Sequence, residues 1–310
     1  MNYKFSGHET FPCRYAWLPK AFLALDKDAD VFADEEQAMV SLGVGKNMAR
    51  SIKFWMQVAG IAKPLENGGY TATPLGKAIL SPGGLDPYLE DRKTLWLIHW
   101  NISTTVNEPL FAWDYLMNRW PHPEISRFEV LRVFDQEAKA MGRKLSPVTL
   151  EQHFDVFLHT YVPTRSRKGH VLEDNLDCPL VELQLIEKIG ERELGSGRRE
   201  PLYAFRREEK PEISSALFIF CLQDFWLKRK ATEKTLTLRD IAVELGSPGQ
   251  VFKLPEWDIR ERLDGLREAS SGEFYYHESA AQPQVRRNDS RNLFGKDYLA
   301  SIYDRELTHA

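Results

Sequence analysis

Between Asp34 and Lys77, helix signals and turn signals alternate so closely that few arrangements satisfy them all. Asp34 stands where a side-chain oxygen caps a helix beginning Glu35-Glu36-Gln37, and the acids fall in the first turn, where the helix dipole favours negative charge. The helix continues through Ala38, Met39 and Leu42 until Gly43 ends it, and Val44-Gly45 completes a tight turn. The next stretch, KNMARSIKFWMQVAG, sets Met48, Ile52, Trp55 and Met56 at helical spacing. Lys46, Arg50 and Lys53 fall on its other side, with no acid among them. Gly60 stops that helix. Asn67-Gly68 then lies between two short extended runs, a hairpin signal, and Pro74 opens another helix. Helix, glycine turn, basic helix and hairpin together predict a winged helix-turn-helix. Lys46, Arg50 and Lys53 are its predicted contacts to DNA phosphate or the major groove, with Lys63 at the edge of the wing. Winged helices also mediate protein contacts, so the basic face leaves that second reading open.

The rest of the chain is read around this unit. Ser81-Pro82-Gly83-Gly84 is a linker, and Asp86 to about Leu194 is mostly helical. Its tryptophans recur at helical intervals among leucines, which predicts core packing over base stacking. TRSRKGH is a basic run, EDNLDCP an acidic turn, and GERELGSGRREPLYAF a hairpin with a Gly-Ser-Gly tip. From Pro211 the order is an apolar helix, a helix capped by Thr237 and ended by Gly246, a proline-started helix over PEWDIRERLDGLREA, and two short strands. That order predicts a second winged helix. Its third helix has no excess of bases over acids, so Arg286, Arg287 and Arg291 at the end of its wing are the better phosphate contacts. The predicted fold class is mainly α with small β-hairpins. Two winged helix-turn-helix domains, 1–82 with the N-terminal strap and 211–310, flank a helical middle at 83–210.

A chain of 310 residues fits two or three domains, and 43% hydrophobic with 28% charged residues is ordinary soluble composition. The longest apolar run, near Ala216 to Leu222, is too short to cross a bilayer. The N-terminus lacks the pattern of a signal peptide. Cys13, Cys178 and Cys221 are scattered without metal spacing, so a reducing cytoplasm is expected. A net charge of −4 does not exclude a polyanionic partner, because a basic face can sit on an acidic protein.

Two segments carry the residue types of a reactive site. In FSGHETFPCRYAWL, His8 and Glu9 are adjacent. They point apart on a strand but converge on a loop. The alternative is a strap pinned by Phe5, Phe11, Tyr15 and Trp17, with His8 and Glu9 serving local backbone groups. In EDNLDCP, the carboxylates of Glu173, Asp174 and Asp177 are of the kind that holds Mg²⁺ or Mn²⁺ for phosphodiester hydrolysis. Arg165, Arg167 and Lys168, with Arg198 and Arg199, flank them as phosphate ligands. The same segment is also good turn material. Asp174 with Glu182-Leu183-Gln184 is a loose match to an Asp…Glu-x-Lys nuclease pattern without its lysine. His153 and His159 do not share a helical face. No phosphate-cradling glycine loop of the ATPase type is present, and Cys178, between acids, is a poor nucleophile.

FSGHETFPCRYAWLPKAF, then LGVGKNMARSIKFWMQVAGIA, then LEDNLDCPLVELQLI together resemble a bacterial domain-of-unknown-function family, family 4007. The family is found with DNA phosphorothioation genes and includes the SspB-type protein of Ssp anti-phage systems. The resemblance spans nearly the whole chain, and the opening motif is its most distinctive part. It implies a cytoplasmic partner of a cysteine desulfurase, an ATP-using sulfurtransferase and a helicase-like ATPase. Such a protein would bind double-stranded DNA and act as a nickase, an endonuclease that opens one strand for sulfur insertion. It brings His8, Glu9 and Arg14 into the candidate set, and the segment Glu173, Asp174, Asn175 and Asp177 matches the family's pattern. Within those segments His8, Glu9, Asp174 and Asp177 are the catalytic candidates. The alternatives are a winged-helix transcriptional regulator and a non-catalytic scaffold of the modification complex.

Overall fold

The Asp34 carboxylate accepts the Gln37 amide at 2.8 Å, and the helix it caps, α2 (Glu35–Leu42), ends at Gly43 in the left-handed conformation. These are features of a computed structural model, which describes residues 2–66, 68–163, 178–195, 197–278, 282–288 and 298–303. The protein is mainly helical with small antiparallel sheets. Its contacts divide it into two units, Met1–Trp113 with Trp120–Arg206, and Asp114–Arg119 with Arg207–Ala310.

In the first unit α1 (Trp17–Lys27) and α2 pack against α3 (Lys46–Val58), whose Ile52, Trp55 and Met56 are buried as the spacing requires. β1 (Ala62–Pro64) and β2 (Tyr70–Ala72) form the hairpin. Thr73 caps α4 (Pro74–Leu80), where Gly76 lies so close to the Ile61 carbonyl that a Cβ would come within 2.3 Å of it. α5 (Arg92–Thr104) and α6 (Phe111–Asn118) follow, then β3 (Glu124–Ser126), α7 (Arg127–Ala140) and α8 (Pro147–Tyr161). A short 3-10 helix, Pro179–Leu183, leads into the hairpin of β4 (Ile186–Leu194) and β5 (Arg198–Phe205). The core is aromatic, with Phe22, Trp55, Trp96, Trp100, Phe111, Trp113, Phe134, Phe154 and Phe157 almost wholly buried. The tryptophans of the middle region are therefore core residues.

The middle region also holds a three-stranded sheet in the order β3-β5-β4. Periodicity did not reveal β3. Three residues are too few to show an alternation, and their partner, β5, lies far along the chain.

The second unit contains α9 (Ser215–Arg229), β6 (Thr235–Thr237), α10 (Leu238–Val243), α11 (Pro248–Phe252), α12 (Glu256–Asp264), α13 (Leu266–Ala269), β7 (Phe274–His277), β8 (Gln284–Arg287) and α14 (Tyr298–Ile302). Thr237 and Asp240 form a reciprocal capping box at the start of α10. That helix stops at Val243, short of the predicted end at Gly246. The proline-started helix also breaks, at Gly265, into α12 and α13. Trp257 on α12 is the exposed exception among the tryptophans, at 55%. The sheet order is β6-β8-β7. In both three-stranded sheets the chain therefore runs strand, helices, strand, strand, and the last strand inserts between the other two.

Candidate nucleic-acid interface and its supporting strap

Residues 3 to 13 are tied down at every turn. Lys4 and Leu110 form a parallel bridge, with the Lys4 amide donating to Pro109 O at 2.9 Å and the Phe111 amide donating to Lys4 O at 3.0 Å. Phe5 stacks on Phe111 with ring centroids 4.6 Å apart. Gly7 has φ +112°, and a Cβ there would meet Phe54 Cδ2 at 2.6 Å, so this position requires glycine both for its backbone and for space. Glu9 and Thr10 follow with positive φ, 48° and 69°. From α3, the Ser51 hydroxyl donates to His8 O at 2.9 Å and the Trp55 indole donates to Phe11 O at 3.0 Å.

The His8 side chain turns inward, 3% exposed, and stacks on His153 of α8 with Nε2 3.1 Å from His153 Nδ1. The tautomers follow from the neighbours. His153 Nε2 accepts the Ala112 amide at 2.9 Å, so the neutral ring carries its proton on Nδ1 and donates to His8 Nε2. His8 then holds its own proton on Nδ1, the atom 3.3 Å from the Thr10 amide. Accepting amides at both outer nitrogens would leave a single proton for two rings. The neutral pair satisfies the two shorter contacts and gives up the longest. Burial lowers the His8 pKa to about 4, and burial first, then the His8 charge, holds that of His153 well below the ordinary value. Both rings are uncharged at neutral pH. His153, set aside in the sequence because it pairs with nothing on its own helix, finds its partner 145 residues away.

Glu9 is half-buried beside the outer surface of α3, where its charge helps raise the pKa of Arg50. Arg14 is half-buried, with its guanidinium over the Trp17 ring at 5.4 Å. On α3 itself, Lys46 and Arg50 are exposed and both pair with Glu35 of α2, at 2.8 and 2.5 Å. Arg50 first and Lys46 second hold the Glu35 carboxyl at about 2. Lys53 folds back, donating to Phe32 O at 3.2 Å and lying 5.2 Å over the Tyr70 ring. The sequence showed no acid within the basic helix. The neutralising acid comes from the helix before it, a contact that only the turn at Gly43 creates. Lys63 on β1 is exposed.

In the second unit Arg286 is exposed on β8, while Arg287 donates to Glu233 O at 2.9 Å and covers the Trp226 ring at 4.5 Å. Arg198 and Arg199 are exposed at the start of β5. Arg165, Arg167, Lys168, Glu173, Asp174, Asn175, Asp177 and Arg291 lie outside the described residues. Cys178 is buried, and burial pushes its thiol up to about 12. Among the described residues no group of three or more His, Cys, Asp or Glu is placed to hold a metal ion. Among the same residues no helix is long and apolar enough to cross a membrane.

Fold and geometry thus define a mainly helical protein in which α3 exposes Lys46 and Arg50 on one side and is braced on the other by an inward-facing N-terminal strap. The profile of a protein of unknown function (DUF4007) matches residues 5–303, and the chain belongs to that family. A magnesium ion-bound crystal structure of SspB is similar over 98% of this chain and 96% of its own, with 25% identity and a TM-score of 0.78. A second SspB crystal structure, 23% identical over the same shares, has a TM-score of 0.75. Comparison with curated proteins finds no match.

Proposed function

We propose that this protein is a DNA-binding component of a phosphorothioation-based anti-phage system, acting at the duplex backbone. The observation that carries this reading is the arrangement of α2, the Gly43 turn, α3 and the β1–β2 hairpin, with Lys46 and Arg50 exposed on α3 and Lys63 on the hairpin. In a winged helix-turn-helix the second helix enters the major groove and the wing follows the backbone. The likeness to SspB supports the biological setting. The recurrent strand order in the two three-stranded sheets supports winged units after the first as well, in segments 83–210 and 211–310. Arg286 and Arg287 belong to the last of these.

Strand nicking with Mg²⁺ or Mn²⁺ is part of the same reading. A magnesium ion is bound in the similar SspB structure, and Glu173, Asp174 and Asp177 are the carboxylates assigned to it here. The described residues offer no ligand cluster of their own. His8 and Glu9 keep a place in this reading through the strap, which braces the inner face of α3. A supercoiled plasmid incubated with Mg²⁺, Mn²⁺ or EDTA tests it, with metal-dependent open circles expected and their loss in Asp174→Ala.

Binding is tested by its salt dependence. Each phosphate neutralised contributes about −0.9 to the slope of log affinity against log salt. Arg50→Gln with Lys53→Gln is expected to flatten that slope, and an unchanged slope sinks the assignment. The scaffold reading draws on a different observation, that Lys46, Arg50 and Lys53 each have an intramolecular partner. On that reading the purified protein binds duplex DNA poorly and instead captures the sulfurtransferase, the cysteine desulfurase or the ATPase.

A further inference from the structure

The last turn of α8 and the β4–β5 hairpin enclose a cleft of about 710 Å³ within the first unit. Its wall is apolar at Leu158 and Ile186, and Tyr203 of β5 lines it half-buried. Lys188, paired in register with Tyr203, and Arg206 bring cations to the same cleft. Arg206 is aimed by the Gln184 side chain, which accepts from its Nη1 at 2.9 Å. Lys188 pairs with Glu191 at 2.8 Å, an exposed ion pair that a phosphate can exchange at little cost. His159 is the third base of the lining. Burial, and after it the Arg127 charge, lowers its pKa, so it meets a ligand as a neutral imidazole with one donor and one acceptor. Against these two cations the described lining residues set one acid, Glu187, and Glu191 beside it pairs with Lys188.

The combination excludes simpler ligands. An inorganic anion needs neither the volume nor the aromatic wall, and an apolar ligand has no use for the cations. Ligand clefts of roughly 300–1,000 Å³ suit molecules of nucleotide size. Aromatic faces with cations beside them are how proteins hold unpaired bases and their phosphates. We propose that this cleft binds one nucleotide of a DNA strand, with the base against Tyr203 and the phosphate at Lys188 and Arg206. The proposal rests on the DNA-binding reading and adds to it a strand-level contact separate from α3.

The test uses the full-length protein and fluorescein-labelled hexathymidylate, read by anisotropy, with unlabelled dTMP as competitor. Oligonucleotide binding is expected, and dTMP should displace it. Lys188→Gln and Tyr203→Ala should each weaken it by about ten-fold, while Tyr203→Phe, which keeps the ring, should not. Lys188 is exposed, so its variant keeps the fold; the thermal melt of Tyr203→Ala is compared with the wild type. Unchanged affinity in Lys188→Gln overturns the proposal, as does failure of dTMP to compete. Binding of dTMP without the oligonucleotide would make this a free-nucleotide site and overturn the strand assignment. A 20-base-pair duplex is titrated in parallel. Duplex binding without hexathymidylate binding sinks the cleft alone, whereas loss of both sinks the DNA reading on which it rests.

Discussion

Acid should loosen the N-terminal strap, and the His8–His153 pair sets the pH at which it does so. In the unfolded chain His8 takes up a proton near the ordinary value of 6.5, whereas in the folded protein burial delays this to about 4. Between those values the unfolded state binds more protons. Stability is therefore full above about pH 6.5 and falls as pH drops towards 4. At about 1.4 kcal/mol per pH unit, the gap corresponds to roughly 3 kcal/mol from His8. His153 acts in the same direction, but the two rings are in contact and their contributions do not add. The perturbation is His8→Gln, whose amide oxygen can still accept from His153 Nδ1 but does not titrate. Urea unfolding is followed by tryptophan fluorescence from pH 7.5 to 4.5, with Trp55 and Trp113 as reporters near the strap. At pH 7.5 the variant should be less stable by about 1–2 kcal/mol, through lost packing on Phe54. The two curves should converge and then cross as pH falls, because the wild type loses the His8 contribution as well as that of His153, whereas the variant loses only that of His153. Carboxylates titrate alike in both proteins and cancel in the difference. Parallel curves across the whole range would refute the reasoning.

Three further outcomes follow from single contacts. Glu35→Gln removes the acid shared by Lys46 and Arg50 and is expected to tighten duplex binding in a gel shift; weaker or unchanged binding would remove α3 from the interface. Gly7→Ala forces a Cβ into Phe54 at a backbone angle side chains rarely adopt, and should cost about 2–4 kcal/mol in urea unfolding. Lys253 is 1% exposed, with its amine donating to the Met117 carbonyl, and burial first, then Arg207 and Lys210, hold its pKa well below 10.5. The unfolded chain keeps that proton up to about pH 10.4, so raising the pH from 7 towards 10 should stabilise the wild type relative to Lys253→Met. Identical shifts in melting temperature would show that the folded amine keeps its charge.

The sequence by itself determined what depends on neighbours along the chain. Asp34, Thr73 and Thr237 cap the helices they precede because a cap needs only an oxygen and an amide three residues on. Gly43 takes the left-handed conformation that a tight helix end demands, and Ile52, Trp55 and Met56 are buried because helical spacing puts them on one face. The aromatic anchoring of the strap was also readable at Phe5 and Trp17. Tertiary structure decided the pairings between distant segments. β3 and β6 are three residues each and exist as strands only because β5 and β8 return to them with free edges. Glu35 meets Lys46 and Arg50 because the Gly43 turn folds α2 against α3, and no spacing rule encodes that neutralisation. His8 in the opening motif carried no sign of its partner on α8. A buried imidazole needs a hydrogen bond, but its composition does not say from where, and only packing the strap over α3 brings the two rings together.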